Sequence, residues 1–243
     1  MAEQNRVTPL GEIVAVPLRG AWTGNRGVLH EGGSASEGRG GHRIVRSHAS
    51  DLWITCALEF RGRWREQWLP HRYTHLFFHD EAVSFAAGHR PCAECRRGDY
   101  RAYQQAWATA ADPLVITARS PAGHDTLVIT ARSPAGHGAP VMASLPSAKQ
   151  MNAQLHSERI VPGTHQRRLH ELPWAGLPDG TFVLDDGQPA LVLGDALVPW
   201  TTDGYGDRRP RPIAGTATVI TPPSTVAVLR AGYPVQIDDT AKS

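Results

Sequence analysis

Short apolar runs bounded by turn residues dominate both ends of this chain, and helical spacing is confined to a few segments. Glu12-Ile13-Val14-Ala15-Val16 has strand character and leads into a turn, and residues 31–42, with five glycines and two serines, have loop composition. Residues 51–60 are rich in Trp, Ile, Thr and Phe, so they predict a strand holding Cys56. Residues 61–65 predict a turn into a second strand ending near Pro70, and residues 73–78 a third. Asp80 is a natural helix cap, Glu81 suits the first turn and Gly88 the stop. In residues 99–111, Tyr100, Tyr103 and Trp107 recur at helical spacing.

The C-terminal half divides differently. Residues 151–172 predict helix in pieces, interrupted at Pro162-Gly163. Asp179-Gly180 and Asp186-Gly187 mark turns around an extended run at 181–184, followed by another at 190–200. Pro223, a hydroxyl cap and Gly232 bracket a short final helix. The expectation is an α+β protein: a zinc-binding α/β unit over 1–112, a loop over 113–148, and a β-rich unit over 149–243. Within the loop, the run from Leu114 to His124 recurs letter for letter from Leu127 to His137, at a period of 13 residues. Two copies at so short a period read as a local duplication, not a solenoid.

With 243 residues, 41% of them apolar, the chain is long enough for a real core. A net charge of only +2 excludes a disordered charged tail and permits nucleic-acid binding without arguing for it. No run approaches the roughly 20 apolar residues that cross a bilayer. Residues 1–18 lack the pattern of a secretory leader. The three cysteines are too few, and odd in number, for a secreted disulfide scaffold. A cytoplasmic protein is expected, and there a Cys-x-x-Cys is more often metal-binding or catalytic than a disulfide.

That pair is Cys92 and Cys95, in Gly88-His89-Arg90-Pro91-Cys92-Ala93-Glu94-Cys95. One tight turn opening a helix offers both sulfurs to one ion, and the helix start favours thiolate over thiol. Zinc takes four ligands, usually thiolates and imidazoles. Cys56 is the expected third. His89 is carried as the fourth, with His30, His75 and His79 as alternatives. An unligated thiol pair or a redox dithiol would explain the spacing less well, since a redox pair normally follows directly from a strand.

The segment Glu81 to Cys95, with its Ala-Ala-Gly helix ending and Arg90-Pro91-Cys92-Ala93-Glu94-Cys95, resembles the metal-binding domain of the Ada methylphosphotriester DNA repair protein family. Trp53-Ile54-Thr55-Cys56 resembles that family's upstream strand. The resemblance covers roughly residues 50–100. It implies zinc held by cysteines, a DNA partner, and Cys56 as acceptor of a methyl group from a DNA phosphate. The pattern departs where the family's second upstream cysteine falls at Phe60, which cannot hold zinc. The whole chain also resembles bacterial proteins, a likeness that implies no activity.

Other features are weaker. Asn25, Arg26 and His30 share a glycine-bordered segment that suits an anion or metal pocket, with His30 as ligand or general base. Arg61, Arg63 and Arg65 alternate with Trp64 and Trp68 nearby, so a strand there would present three cations on one face for nucleic acid. Arg90, Arg96 and Arg97 add positive potential beside the cysteines. Arg208 to Pro212 reads as a solvated loop, Asp185-Asp186 as turn chemistry, and His156, His165 and their polar neighbours as hydrated surface side chains, with a cleft lining as the alternative. No phosphate-binding loop, dinucleotide fingerprint, nucleophile elbow or His-Glu-x-x-His occurs. The leading expectation is a zinc-binding, DNA-associated protein of repair or damage response. The rivals are a zinc-dependent hydrolase with an open metal site and a binding module with structural zinc.

Overall fold

In the computed structural model, which describes residues 2–31, 42–63, 66–110, 117–119 (backbone only) and 145–243, the α+β class holds, with two sheets and four helices. Chain order is β1 (Arg6–Val7), β2 (Ile13–Val14), β3 (Trp22–Asn25), β4 (Ile54–Cys56), β5 (Leu76–Phe78), α1 (Glu81–Ala86), β6 (Arg90–Pro91), α2 (Arg97–Thr109) and β7 (Thr117–Arg119). Then follow α3 (Ala148–Arg159), β8 (Leu169–Pro173), β9 (Phe182–Asp185), β10 (Gln188–Leu193), β11 (Ala196–Thr201), β12 (Gly204–Tyr205), β13 (Arg209–Pro210), β14 (Thr216–Val219) and α4 (Pro223–Arg230). The first sheet runs β2-β1-β5-β3-β4-β6. The second runs β12-β11-β10-β9-β14-β8-β7, with β13 against β11. Most of the duplicated loop lies outside the described residues, and the part described adds a strand, β7, paired with β8.

Helix α1 starts and stops where the sequence places its signals. The Asp80 carboxylate accepts from Val83 N at 2.8 Å. At the other end, Gly88 adopts φ +90°, Gly88 N donates to Phe85 O, and His89 N donates to Ser84 O. This double closure turns the chain sharply at a position that suits glycine. The next residues, Arg90 and Pro91, then pair in parallel with β4.

Three expectations need correction. Residues 169–172 form strand β8, not helix: burial there alternates, and β8 pairs with β14 over four residues. Residues 190–200 are two strands, β10 and β11, folded into a hairpin at Gly194-Asp195. The turn expected before residue 25 contains β3, which lies between β4 and β5. Gly24 within β3 serves close packing. A Cβ there would sit 2.3 Å from the Ile54 carbonyl oxygen and 2.9 Å from the Phe78 ring.

The sheets share apolar packing. One cluster joins Val7, Leu76, Phe78 and Val83 to Phe182, Leu191, Val198 and Trp200. A second lies within the C-terminal sheet around Leu172, Val183 and Val219. A third joins Phe85 and Tyr103 to Met151, Val228 and Tyr233, so α2 packs on α3 and α4. Hydrophobic burial therefore crosses the 113–148 boundary drawn from the sequence, and the two halves stabilise each other. No helix among the described residues is long and apolar enough to cross a membrane.

Candidate metal centre

Parallel pairing of β4 with β6 brings the cysteines together. Thr55 is in register with Pro91, and Cys92 N donates to Thr55 O at 2.9 Å. Cys92 thus leaves β6 beside Cys56. The turn over 93–96, closed by Arg96 N to Cys92 O at 3.2 Å, carries Cys95 back toward both. The three sulfurs all lie within 4.8 Å of one another, which makes this a possible metal site. Zinc–sulfur bonds of about 2.3 Å in a tetrahedron need sulfurs just under 4 Å apart, so small rotamer changes bring this set onto one ion.

The turn is anchored by a buried ion pair. Arg96 at the start of α2 donates to the Glu81 carboxylate at 2.5 Å and to Asp99 at 2.8 Å, and its guanidinium lies 3.9 Å from the Trp22 ring centroid. Tyr233 OH and Gln236 N complete the Glu81 carboxylate. The thiols act on one another. The Cys56 thiol, hydrogen-bonded to Cys92 and Cys95 and buried, is pushed well up. Hydrogen bonds from Cys56 and Cys95, helped by the Glu94 amide, hold Cys92 well below the ordinary thiol value. Three thiols this close favour loss of a proton from the group, an arrangement suited to a cation that would replace protons.

The cluster is on the wall of an open cleft of about 410 Å³. Cys56 and Cys95 are half-buried and Cys92 is buried. The cleft also carries Thr23, Asn25, His75, Glu94 and Arg63, with Phe60, Tyr73 and Phe77 as apolar surface. Of the four histidines considered as a fourth ligand, His75 is the one lining this cleft. Its ring centroid lies 4.7 Å from that of Tyr73, with the planes tilted by 34°.

The other three are occupied elsewhere. His89 is fully buried between Phe78 and Trp53 and accepts from Arg26 Nε at 3.3 Å, so carrying it as the ligand is corrected. His30 is buried against Trp68, with Nδ1 2.7 Å from Thr74 Oγ1, outside the cleft. His79 accepts from Trp200 Nε1 beside Asp238, on a different surface cleft. The Asn25–His30 segment therefore does not form one pocket: Asn25 faces the cysteines while Arg26 and His30 turn into the interior.

The arginines also separate. Arg90 is buried and held by Asn152 Oδ1 at 2.7 Å and Pro91 O at 3.0 Å. Arg96 is the Glu81 partner. Neither is free for nucleic acid, because desolvated guanidiniums are already committed to interior acceptors. Arg61, Arg63 and Arg97 are exposed, and Arg65 lies outside the described residues. Residues 61–63 form a turn, not a strand, so an alternating cationic face is not formed there. Arg63 pairs with Glu94 at 2.8 Å across the cleft rim.

Thr23, Gln67 and Glu94 line the cleft without having been singled out in the sequence. Thr23 is directly opposite Cys56 in the β3–β4 register, a relation that emerges only from strand pairing. No family model, curated protein or solved structure matches this chain.

Proposed function

We propose that the protein binds zinc through Cys56, Cys92 and Cys95 and acts on DNA as an acceptor of alkyl groups from damaged phosphates. The reading rests on one observation: the three sulfurs lie on the wall of an open cleft rather than inside the core. Bound zinc would supply the positive charge that keeps all three sulfurs as thiolates at neutral pH.

The chain's own groups then define the chemistry. Cys56 ends β4 with its sulfur facing the cleft, where a methylated phosphate can approach. Its sulfur forms a bond to the methyl carbon, the carbon–oxygen bond breaks, and the phosphodiester leaves with the electron pair. Arg63 on the rim, and the exposed Arg61 and Arg97, suit contact with flanking phosphates. The Arg63–Glu94 pair is exposed, so exchanging Glu94 for a phosphate costs little. The resemblance of residues 50–100 to the Ada metal-binding domain supports the same reading.

Hydrolysis at this centre is the second reading, favoured by His75 on the cleft wall as a proton acceptor. Three anionic sulfurs weigh against it, since they offset the charge a hydrolytic zinc uses to acidify water; such sites rely more on histidine and carboxylate.

The test incubates zinc-loaded protein with duplex DNA carrying methylphosphotriesters and maps cysteine masses. A single methyl on Cys56, absent in Cys56→Ser, is expected. Unmodified cysteines together with turnover of a phosphoester or amide substrate would replace the acceptor reading with the hydrolytic one.

A further inference from the structure

A second cluster of polar groups lies on the other side of β3 and β4. Ser47 and His48 precede β4, His156 is on α3, and His165 is on the turn after it. The His48 ring centroid is 5.4 Å from that of His156 and 5.4 Å from that of His165. Ser47 Oγ sits 2.9 Å from His48 Nδ1 and 3.4 Å from His165 Nδ1. These side chains are half-buried or exposed.

Below them the Trp53 ring carries two guanidiniums, Arg26 at 3.9 Å and Arg159 at 4.0 Å from the ring centroid. Both arginines are almost wholly buried, 1% and 0% exposed. Among the described residues neither has a carboxylate within ion-pair distance. Arg159 donates to Gly88 O and Asp51 O, so the end of α1 offsets part of its charge. Arg26 donates to His89, Gly11 O and Ser47 O, but its Nη2 has no partner, and neither does Arg159 Nε. Asp51 offsets part of the Arg159 charge from beyond ion-pair distance, while Arg26 is acted on by other arginines, so two interior cations remain under-compensated and an anion bound above them would offset that cost.

Hydrogen-bond direction agrees. Arg159 Nη2 lies 3.2 Å from His156 Nδ1, and since arginine only donates, His156 Nδ1 accepts. The proton of neutral His156 is then on Nε2, as a donor. Ser47 has one hydroxyl proton for two imidazole Nδ1 atoms, so at least one of His48 and His165 donates through Nδ1. The cluster combines imidazole donors, a hydroxyl and positive charge from below. A metal ion would meet repulsion from both guanidiniums. We infer that the Ser47, His48, His156 and His165 face, floored by Arg26 and Arg159, binds a tetrahedral oxyanion of the phosphate class, either free phosphate or a nucleic-acid phosphodiester.

The experiment titrates inorganic phosphate into the full chain, at neutral pH and with chloride matching ionic strength, following tryptophan fluorescence and melting temperature. Saturable, phosphate-specific change is expected. His48→Asn with His165→Ala should weaken binding by about tenfold or more, the scale of losing charge-assisted hydrogen bonds. His165→Ala alone, at an exposed turn, gives the same reading in a smaller step where the double variant folds poorly. Cys56→Ser should bind phosphate normally, which separates this site from the metal centre. Competition between phosphate and short duplex DNA, weakened by the same substitutions, identifies a phosphodiester ligand. Phosphate binding without DNA competition identifies a free phosphate. No phosphate-specific change, or affinity untouched in the histidine variants, overturns the site.

Discussion

The amide of Cys92 donates to the carbonyl of Thr55 at 2.9 Å, and through that bond a cysteine thirty-six positions downstream in sequence is set beside Cys56. The bond belongs to a short parallel pairing between β4 and β6. Parallel pairs need a crossover, and here β5 and α1 lie within it.

The proposed zinc centre sets an expected metal content. Purified protein should carry one equivalent of zinc by elemental analysis. Each of Cys56→Ser, Cys92→Ser and Cys95→Ser should weaken zinc by more than about 100-fold, beyond the usual cost of losing an outer partner. Zinc retained at full affinity in both the Cys92 and Cys95 variants would remove the centre.

Arg96 is expected to be essential for stability. Its guanidinium and the Glu81 carboxylate are 1% and 0% exposed. Arg96→Met leaves a buried carboxylate with only the Tyr233 and Gln236 donors, and should cost about 3–5 kcal/mol in urea denaturation. Adding Glu81→Leu should recover part of that loss. A double variant no more stable than Arg96→Met alone would show that the pair is not coupled.

Gly24→Ala should destabilise by about 1–3 kcal/mol, because the new methyl meets the Ile54 carbonyl and the Phe78 ring. Since β3 also sets Thr23 opposite Cys56, zinc affinity should fall with stability. Unchanged melting and zinc affinity would mean that β3 does not hold the cleft as described.

His170 provides a pH signature. Burial, the largest influence, lowers it to about 4, although its Nε2 donates to Glu158 O at 2.7 Å. The folded value is below the ordinary one near 6.5, so the neutral ring is preferred on folding. This contribution is complete above pH 6.5, declines as pH falls, and is lost on passing about 4. It amounts to at most about 3 kcal/mol. Stability measured from pH 7 to 4 should fall less steeply in His170→Gln than in the parent. Parallel curves would assign the acid response to other groups.

Local signals were legible where they act within a few residues. Asp80 caps α1 and Gly88 ends it, Tyr103 is buried with Tyr100 and Trp107 packed around it, and Asp186-Gly187 turns between β9 and β10. The period-2 pattern of β8 was obscured by the helical run before it. Strand β3 was hidden because its glycine is chosen for contact with Ile54 and Phe78, not for local preference.

By itself, the sequence determined the α+β class and the pairing of Cys92 with Cys95, since capping, turn chemistry and a two-residue spacing are properties of adjacent residues. Tertiary structure alone decided which histidine shares the cysteine cleft. His89 is three residues from Cys92, yet the sharp turn after α1 directs it into the core with Arg26. His75 is nineteen positions from Cys56, yet β5 and β4 both flank β3, which leaves it on the cleft wall. Pairing register and backbone reversal control those positions, and both depend on residues far apart in the chain.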